Sequence, residues 1–521
     1  MTDAAFGAWF LSSAERANRV TKLDAGKASG VAWTEGNRVE PLVHGATYFS
    51  RLHHVLSRLG GDDRVHLTDW RGDWDERLDG PGTEIGSVLR DAAGRGVDVR
   101  GLIWRSHPAR LHFSQGENLE LARMVNAAGG ELLLDERVRR GGSHHQKLFV
   151  VRSGDEDADL AFVGGIDLCY GRRDDERHLG DEQPVPLDSK YGPRPPWHDV
   201  QLELRGPAVF DLAETFRERW EDPTPLDHRN PVRWTTARVA RQPRKPKDLS
   251  PPIEVPAAAG TQAVQVLRTY PAKRPAFPFA PNGERSIARA YVKAFARARS
   301  LIYIEDQYLW SEEIGRLLAE ALRRSPRLHV VIVVPAFPDR DGRVSGPPCR
   351  LGQLEALSLL QRTAGDRVAV YQPVNGQGTP VYVHAKVCVV DDVWAIVGSD
   401  NMSLRSWTHD SELSCAVMDA EPDDREPADP GGLGDGARRF ARELRLRLWS
   451  EHLGVAPDDL PLDTEAGVEL WHAAAADPAS RIREHRPEPV TAAQRAWARP
   501  FYRFVVDPDG RPPAMRKRGG F

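Results

Sequence analysis

Ser143-His144-His145-Gln146-Lys147 runs into the apolar stretch Leu148-Phe149-Val150-Val151, and a second apolar run then ends at Gly164-Gly165-Ile166-Asp167. Much later the chain repeats itself. His384-Ala385-Lys386 leads into Val387-Cys388-Val389-Val390, and the next apolar run ends at Gly398-Ser399-Asp400-Asn401. One H-x-K before a hydrophobic run arises by chance in many chains. Two copies, each followed by a second run that ends in a glycine turn, point to a duplicated half of one site.

Outward from these segments, each half reads as the same series of elements. Residues 47–59 carry Phe49, Leu52, Val55 and Leu56 at helical spacing, and a strand at 65–68 ends at Asp69. In the second half 288–298 reads as the helix and 301–304 as the strand, ending at Glu305. Asp69 precedes His145 by 76 residues and Glu305 precedes His384 by 79. Strongly apolar strands at 98–104 and 328–334 lie between, and helices at 211–220 and 439–449 each close on a Trp. Alternating helices and buried-type strands predict an α/β fold: two pseudo-symmetric lobes, each a mixed β-sheet flanked by helices, with the active site at their interface.

The expected organisation is an N-terminal lobe at 1–222, a Pro- and basic-rich linker at 223–260, a C-terminal lobe at 261–506 and a mobile basic tail at 507–521. Insertions at 172–196 and 421–436 read as solvated loops. The 71 Lys and Arg against 75 Asp and Glu leave a net charge of −4, which argues against wholesale nucleic-acid binding. Residues 1–20 do not read as a signal peptide, and no run approaches the ~18 apolar residues of a membrane span. The scattered Cys169, Cys349, Cys388 and Cys415 lack metal-ligand spacing. The expectation is a cytoplasmic protein, peripheral to the inner face of a membrane, for which a monomer suffices.

Residues i and i+2 of a strand share a face, so His145 projects with Lys147 and His384 with Lys386. Two imidazoles and two ammonium groups around one point suit a phosphodiester. The lysines would neutralise non-bridging oxygens, one imidazole would attack phosphorus and the other would protonate the leaving oxygen. That chemistry calls for no metal and no cofactor. Each imidazole needs an acceptor on its other nitrogen, and Asp199 in Trp197-His198-Asp199 and Glu412 in Asp410-Ser411-Glu412 are the candidates. The turns at Gly164, Gly165, Gly398 and Ser399 would offer backbone N–H groups to the phosphate, with Asp167 and Asn401 beside them. His144 is expected on the opposite strand face as support, while His178 and His198 have no counterpart in the repeat and carry no assigned role. Trp104-Arg105-Ser106-His107 and Tyr308-Leu309-Trp310 end strands, where they border either the pocket or the lobe interface.

The chain resembles the phospholipase D superfamily, marked by a duplicated H-x-K-x4-D with a G-G/S turn after it. His384, Lys386 and Asp391 match in full. Phe162-Val163-Gly164-Gly165-Ile166-Asp167-Leu168-Cys169-Tyr170-Gly171-Arg172, Ile302-Tyr303-Ile304-Glu305-Asp306-Gln307-Tyr308 and Trp197-His198-Asp199 resemble the larger enzymes acting on phosphatidylcholine-type lipids. The resemblance spans about residues 40–450. It implies hydrolysis of glycerophospholipid to phosphatidic acid, or transfer to an alcohol, through a covalent phosphohistidine. It also implies His145 as nucleophile and His384 as acid, oriented by Asp199 and Glu412 respectively, with Gln307 among the substrate-binding residues and Asp391 as a structural brace. The alternatives are a phosphodiesterase or nuclease with another substrate, and an inactive lipid-binding scaffold. Only the scaffold draws support from a departure: Arg152 stands where the first motif should carry Asp, with Asp155, Asp157 and Asp159 following it.

Overall fold

The computed structural model describes residues 2–106, 114–153, 159–226, 245–252, 254–339 and 346–521. The first half contributes strands β1 (Thr34–Val43), β2 (Arg64–Asp69), β3 (Asp98–Trp104), β4 (Glu131–Asp135), β5 (Leu148–Arg152), β6 (Leu160–Gly164), β7 (Trp197–His198) and β8 (Val200–Arg205). The second contributes β9 (Gln262–Tyr270), β10 (Glu284–Arg285), β11 (Leu301–Glu305), β12 (His329–Val333), β13 (Val368–Pro373), β14 (Tyr382–Val383), β15 (Val387–Val390), β16 (Trp394–Gly398), β17 (Glu412–Asp419) and β18 (Ile482–Glu484).

All but β7 and β14 lie in one sheet, in the order β18-β13-β12-β11-β15-β16-β17-β9-β1-β8-β6-β5-β2-β3-β4, with β10 against β9. Read outward from its middle, the sheet repeats. β1-β8-β6-β5-β2-β3-β4 has the same order and the same directions as β9-β17-β16-β15-β11-β12-β13: antiparallel as far as β2 and β11, parallel beyond. The halves join where β1 pairs antiparallel with β9, through an irregular register between Thr34 and Asn37. The expected α/β class and its pseudo-symmetry are what the chain adopts.

The motif strands read as unbroken apolar runs because the sheet is covered on both faces. Leu148 and Val150 share one core with Val387 and Val389, packed under the helices Ala208–Trp220 and Arg439–Leu453. Phe149 and Val151 face a second core under Gly45–Leu56 and Ile85–Gly94, and Cys388 and Val390 a third under Ser286–Arg297 and Glu312–Arg324. Helix Glu312–Arg324 is fixed locally as well. Ser311 accepts the Ile314 N–H, acidic residues sit in the first turn and Arg323 and Arg324 in the last.

Several expectations need correction. The structural counterpart of Asp69 is Asp306, not Glu305: β2 places Thr68 opposite Leu148, whereas β11 places Glu305 opposite Val387. The first lobe does not begin at the N-terminus, since Phe6, Trp9 and Phe10 pack among Leu267, Tyr291 and Phe295 of the second half. The tail is anchored, with Arg511 buried and forked onto Glu313, and Phe521 against Trp407. Of the linker, 227–244 and 253 lie outside the described residues. Its remainder follows the first half, where Lys247 and Ser250 carbonyls accept from Trp220 and Arg217.

The two motif strands end differently. Asp391 accepts the backbone N–H groups of Arg299, Ser300 and Leu301 at 2.8 Å each, tying the end of β15 to the start of β11. Arg152 cannot accept, and the first half uses other contacts there. Arg152 pairs with Asp159 at 3.1 Å and donates to the Glu254 carbonyl, while the Ser153 hydroxyl donates to Asp63. Asp155 and Asp157 lie outside the described residues. The difference is therefore a substituted brace at the strand end remote from the site. Asp391→Ala strands three backbone donors and is expected to cost about 2–4 kcal/mol of unfolding free energy in urea titrations.

Candidate active site

Both motif histidines stand at the N-terminal mouths of their strands and line one cleft of about 640 Å3. Trp70, Trp104, Trp197, Tyr308 and Trp310 line the same cleft, as do Asp167, Asn401, Gln307, Glu412 and Arg172. His107 lies outside the described residues.

Each histidine is held by the opposite half. The segment ending at His145 runs parallel to that ending at Glu412: His144 bridges Ser411, the Ser411 N–H donates to the Ser143 carbonyl and the His145 N–H to the Ser411 carbonyl. The second motif is built the same way. β14 pairs parallel with β7, and the His384 N–H donates to the His198 carbonyl at 2.8 Å. These two short ladders carry the carboxylates across. His145 Nδ1 lies 2.8 Å from Glu412 Oε2, and His384 Nδ1 lies 2.7 Å from Asp199 Oδ2. The expected pairing of His145 with Asp199 and His384 with Glu412 is thus exchanged. Cross-strand pairing puts each imidazole beside the other half's carboxylate, which sequence order within a half cannot convey. With Nδ1 donating to carboxylate, Nε2 remains for chemistry on both rings.

The carboxylates are held in turn. Glu412 accepts from the Ser399 hydroxyl at 2.6 Å and the Ser406 hydroxyl at 2.8 Å, and Asp199 accepts from the Val200 N–H. The turn glycines serve this packing rather than a ligand. A Cβ on Gly165 would lie 2.2 Å from Asp199 Oδ1, and one on Gly398 would lie 1.9 Å from Ser414 Oγ. The Gly165, Gly398 and Ser399 N–H groups donate to the Val200, Lys386 and Leu413 carbonyls, so the sheet takes the donors expected to face a phosphate.

The lysines differ between halves. Lys147 Nζ is 3.1 Å from Asp167, which Arg172 also approaches at 3.5 Å. Asn401 occupies the position equivalent to Asp167, and its buried Oδ1 has no hydrogen-bond partner among the described residues. Burial pushes the Lys386 ammonium down to about 8. Burial likewise drives His384 well below the ordinary histidine range, with Lys386 and Arg172 acting in the same direction. Lys147 and Arg172 hold Asp167 below the carboxylate range against the effect of its burial, while burial and Asp167 together raise its neighbour Asp69. Gln307 donates to the Tyr382 hydroxyl at 2.7 Å at the cleft wall.

Sequence reasoning did not single out Arg172, whose guanidinium lies 4.0 Å from the Trp197 ring centroid, itself 4.9 Å from the His384 ring. It also took 172–196 for a solvated loop, whereas Val185, Pro186 and Leu187 wall the cleft. His144 is buried with Nδ1 3.6 Å from Asp135, away from the reacting face. Among the described residues, the side chains that could ligate a metal gather behind the cleft, where His44, His178, His198 and Glu451 adjoin Glu305 and His452.

Comparison with known families matches residues 75–315 to the family described as Phospholipase D, and 291–424 to one described as Cardiolipin synthase, PLD-like domain. Phospholipase D A of Dictyostelium discoideum is 30% identical over 378 residues, covering 60% of this chain and 27% of that protein. Phospholipase D alpha 2 of Oryza sativa subsp. japonica is 24% identical over 541 aligned positions, covering 79% of this chain and 63% of that protein. The chain therefore spans less than two thirds of either relative's length. Among solved structures, phosphatidylserine synthase of Haemophilus influenzae Rd KW20 superposes with a TM-score of 0.51 at 14% identity, covering 74% of this chain and 82% of that one. At that identity the likeness is one of fold.

The exchange of carboxylates has a direct test. Asp199→Asn should shift the ring 15N resonances of His384 and leave those of His145 in place, and Glu412→Gln should do the reverse. A same-half response would contradict the crossed geometry.

Proposed function

From a chain that belongs to the phospholipase D superfamily, we propose a phosphodiesterase of the phospholipase D type, which hydrolyses glycerophospholipid to phosphatidic acid or passes the phosphatidyl group to an alcohol. The observation that carries this reading is the pair of cleft-facing imidazoles, each with Nδ1 bound to a buried carboxylate of the opposite half.

His145 Nε2 attacks phosphorus. As the N–P bond forms, the bond from phosphorus to the headgroup oxygen breaks, and His384, present as the imidazolium once the anionic phosphate offsets the burial and the cationic neighbours that depress it, gives its Nε2 proton to that oxygen. His384 then takes a proton from water or an alcohol, whose oxygen attacks the phosphohistidine and displaces His145. Glu412 and Asp199 stabilise each ring as it gains charge, and Lys147, Lys386 and Asn401 gather the non-bridging oxygens. No metal takes part in these steps. The resemblance favours His145 as the carrier of the covalent phosphate; recovery of phosphohistidine in the peptide carrying His384 would exchange the two roles.

A lipid substrate is favoured over nucleic acid by what surrounds the cleft mouth. Val505 and Val506 line the cleft, and in the segment that leads to them Trp497, Phe501, Phe504 and Val505 stand exposed, Phe504 at 80%. Exposed Arg495, Arg499 and Arg503 intersperse them. An apolar and basic rim suits insertion at the surface of an anionic bilayer. No described helix is long and apolar enough to cross a membrane, so this rim supports peripheral attachment. The inactive-scaffold reading is not favoured, because Arg152 stands at the strand end remote from the cleft, where Ser153 reaches Asp63 at the start of β2.

With phosphatidylcholine vesicles and ethanol, and no added divalent ion, the protein is expected to form phosphatidic acid and phosphatidylethanol. His145→Ala and His384→Ala should each lower turnover by at least about a thousandfold. Absence of both products across several headgroups, or near-normal turnover in either variant, would refute the reading. Phe501→Ser with Phe504→Ser should lower turnover on vesicles about tenfold and leave that on a monomeric short-chain lipid unchanged.

A further inference from the structure

Behind Asp199 lies a group of side chains that the proposed chemistry does not use. His44 Nε2 and Glu451 Oε2 are 2.8 Å apart; His178 Nε2 and His198 Nδ1 lie 3.1 and 3.0 Å from Glu451 Oε1. The four ligand atoms lie within 4.8 Å of one another, and the three histidines are all but closed to solvent. On its other side, His198 Nε2 is 2.7 Å from Glu305 Oε2. The second oxygen of Glu305 is bound by His452 Nε2 at 2.8 Å and by the Tyr303 hydroxyl at 2.6 Å.

Hydrogen bonds alone describe this cluster poorly. Three ring N–H groups converge on Glu451, which its two oxygens can accept, but only with each of those nitrogens protonated. His198 faces a carboxylate from each nitrogen, so it would have to be a fully buried cation. Even then, Glu451, Glu305 and Asp174, whose Oδ2 lies 3.8 Å from His178 Nδ1, outnumber the imidazolium ions that His198 and His178 could supply, and excess negative charge out of water is costly.

A divalent ion removes each difficulty. It replaces the three converging protons by lone pairs, and its two charges offset those of Glu451 and Glu305. His198 then gives Nδ1 to the ion and its Nε2 proton to Glu305, the carboxylate–histidine–metal arrangement that fixes tautomer and ring orientation. Zinc bonds of about 2.0–2.1 Å set tetrahedral ligand atoms ~3.4 Å apart, between the 2.8–3.1 Å from each imidazole to Glu451 and the 4.8 Å that bounds the whole set, so ligation asks for shifts of no more than about 1.4 Å.

We propose that His44, His178, His198 and Glu451 form a binding site for one divalent transition-metal ion, zinc by its three imidazoles and one carboxylate, with a structural role. All four positions of a tetrahedral ion are then filled by protein, which leaves none for water or substrate. The ligands come from four distant segments. His44 joins β1 to helix Gly45–Leu56, His178 lies in the cleft-wall insertion, His198 in β7, and Glu451 in helix Arg439–Leu453 of the other half. His198 immediately precedes Asp199 and accepts the His384 N–H through its carbonyl, so the ion acts on the active site as a positioning element.

The test reads metal content and melting, not turnover. Wild-type protein stripped with 1,10-phenanthroline and dialysed against limiting ZnCl2 should retain about one zinc per chain by mass spectrometry and melt several degrees higher than the stripped form. The double variant His44→Ala with His178→Ala should retain less than about a tenth of that zinc. Glu451→Gln keeps the side chain's shape, should bind zinc at least about tenfold more weakly, and serves if the double variant misfolds. His145→Ala should bind zinc as the wild type does. Failure of folded wild-type protein to take up zinc overturns the proposal. So does uptake that survives the ligand substitutions, or uptake lost in His145→Ala, which would put the ion at the cleft. None of these outcomes depends on the proposed reaction.

Discussion

An imidazole that reacts at one nitrogen must be held at the other, and in this chain the holder comes from the opposite half. Glu412 reaches His145 and Asp199 reaches His384, at 2.8 and 2.7 Å. Much of the rest follows from that exchange. The short parallel ladders between 143–145 and 410–412, and between β7 and β14, deliver the carboxylates. The glycine turns exist so that Asp199 and the Ser414 side chain can pack within reach of the strand ends. The lobes cannot slide on each other without breaking both imidazole–carboxylate bonds together.

The joined sheet supplies the rigidity this demands. β1 and β9 pair at its centre, so the strands of both lobes share one hydrogen-bonded surface, and one core runs beneath both motif strands. Side chains at the sheet ends then project from a platform buried on both faces, which limits their freedom more than a loop would. Differences between the halves fall mainly outside this platform. Arg152 replaces an acceptor at the far strand end, and at the cleft wall Asp167 stands where the second half has Asn401.

Much of this was legible in the sequence, for identifiable reasons. Strands covered on both faces leave unbroken apolar runs, and helices with one buried face leave Phe49, Leu52 and Leu56 at their spacing, so element types and their order could be read. The i, i+2 spacing of histidine and lysine survives folding because it is local. The partner of each histidine was not legible, since it depends on pairing between distant segments. Asp306 was passed over for Glu305 because adjacent acids at a strand end look alike until the register distinguishes them. His178 and His198 carry no role that the sequence can assign, because their neighbours come from four places in the chain. By composition Arg511 reads as part of a loose tail, and its fork onto Glu313 is a tertiary contact that composition does not encode.

The crossed carboxylates also bear on how two copies of one unit diverge once fused. A change at His145 is felt by Glu412, and a change at His384 by Asp199, so neither copy can drift at these positions without disabling its twin. Both copies accordingly keep histidine, lysine and an acid there, and both keep the glycine at the strand end. Arg152 and Asp391 stand outside this exchange, Arg152 with Asp159 and the linker's Glu254 and Asp391 with Arg299, Ser300 and Leu301, and there the two have parted. The geometry thus divides the repeat into positions held in common trust and positions each copy was free to rewrite.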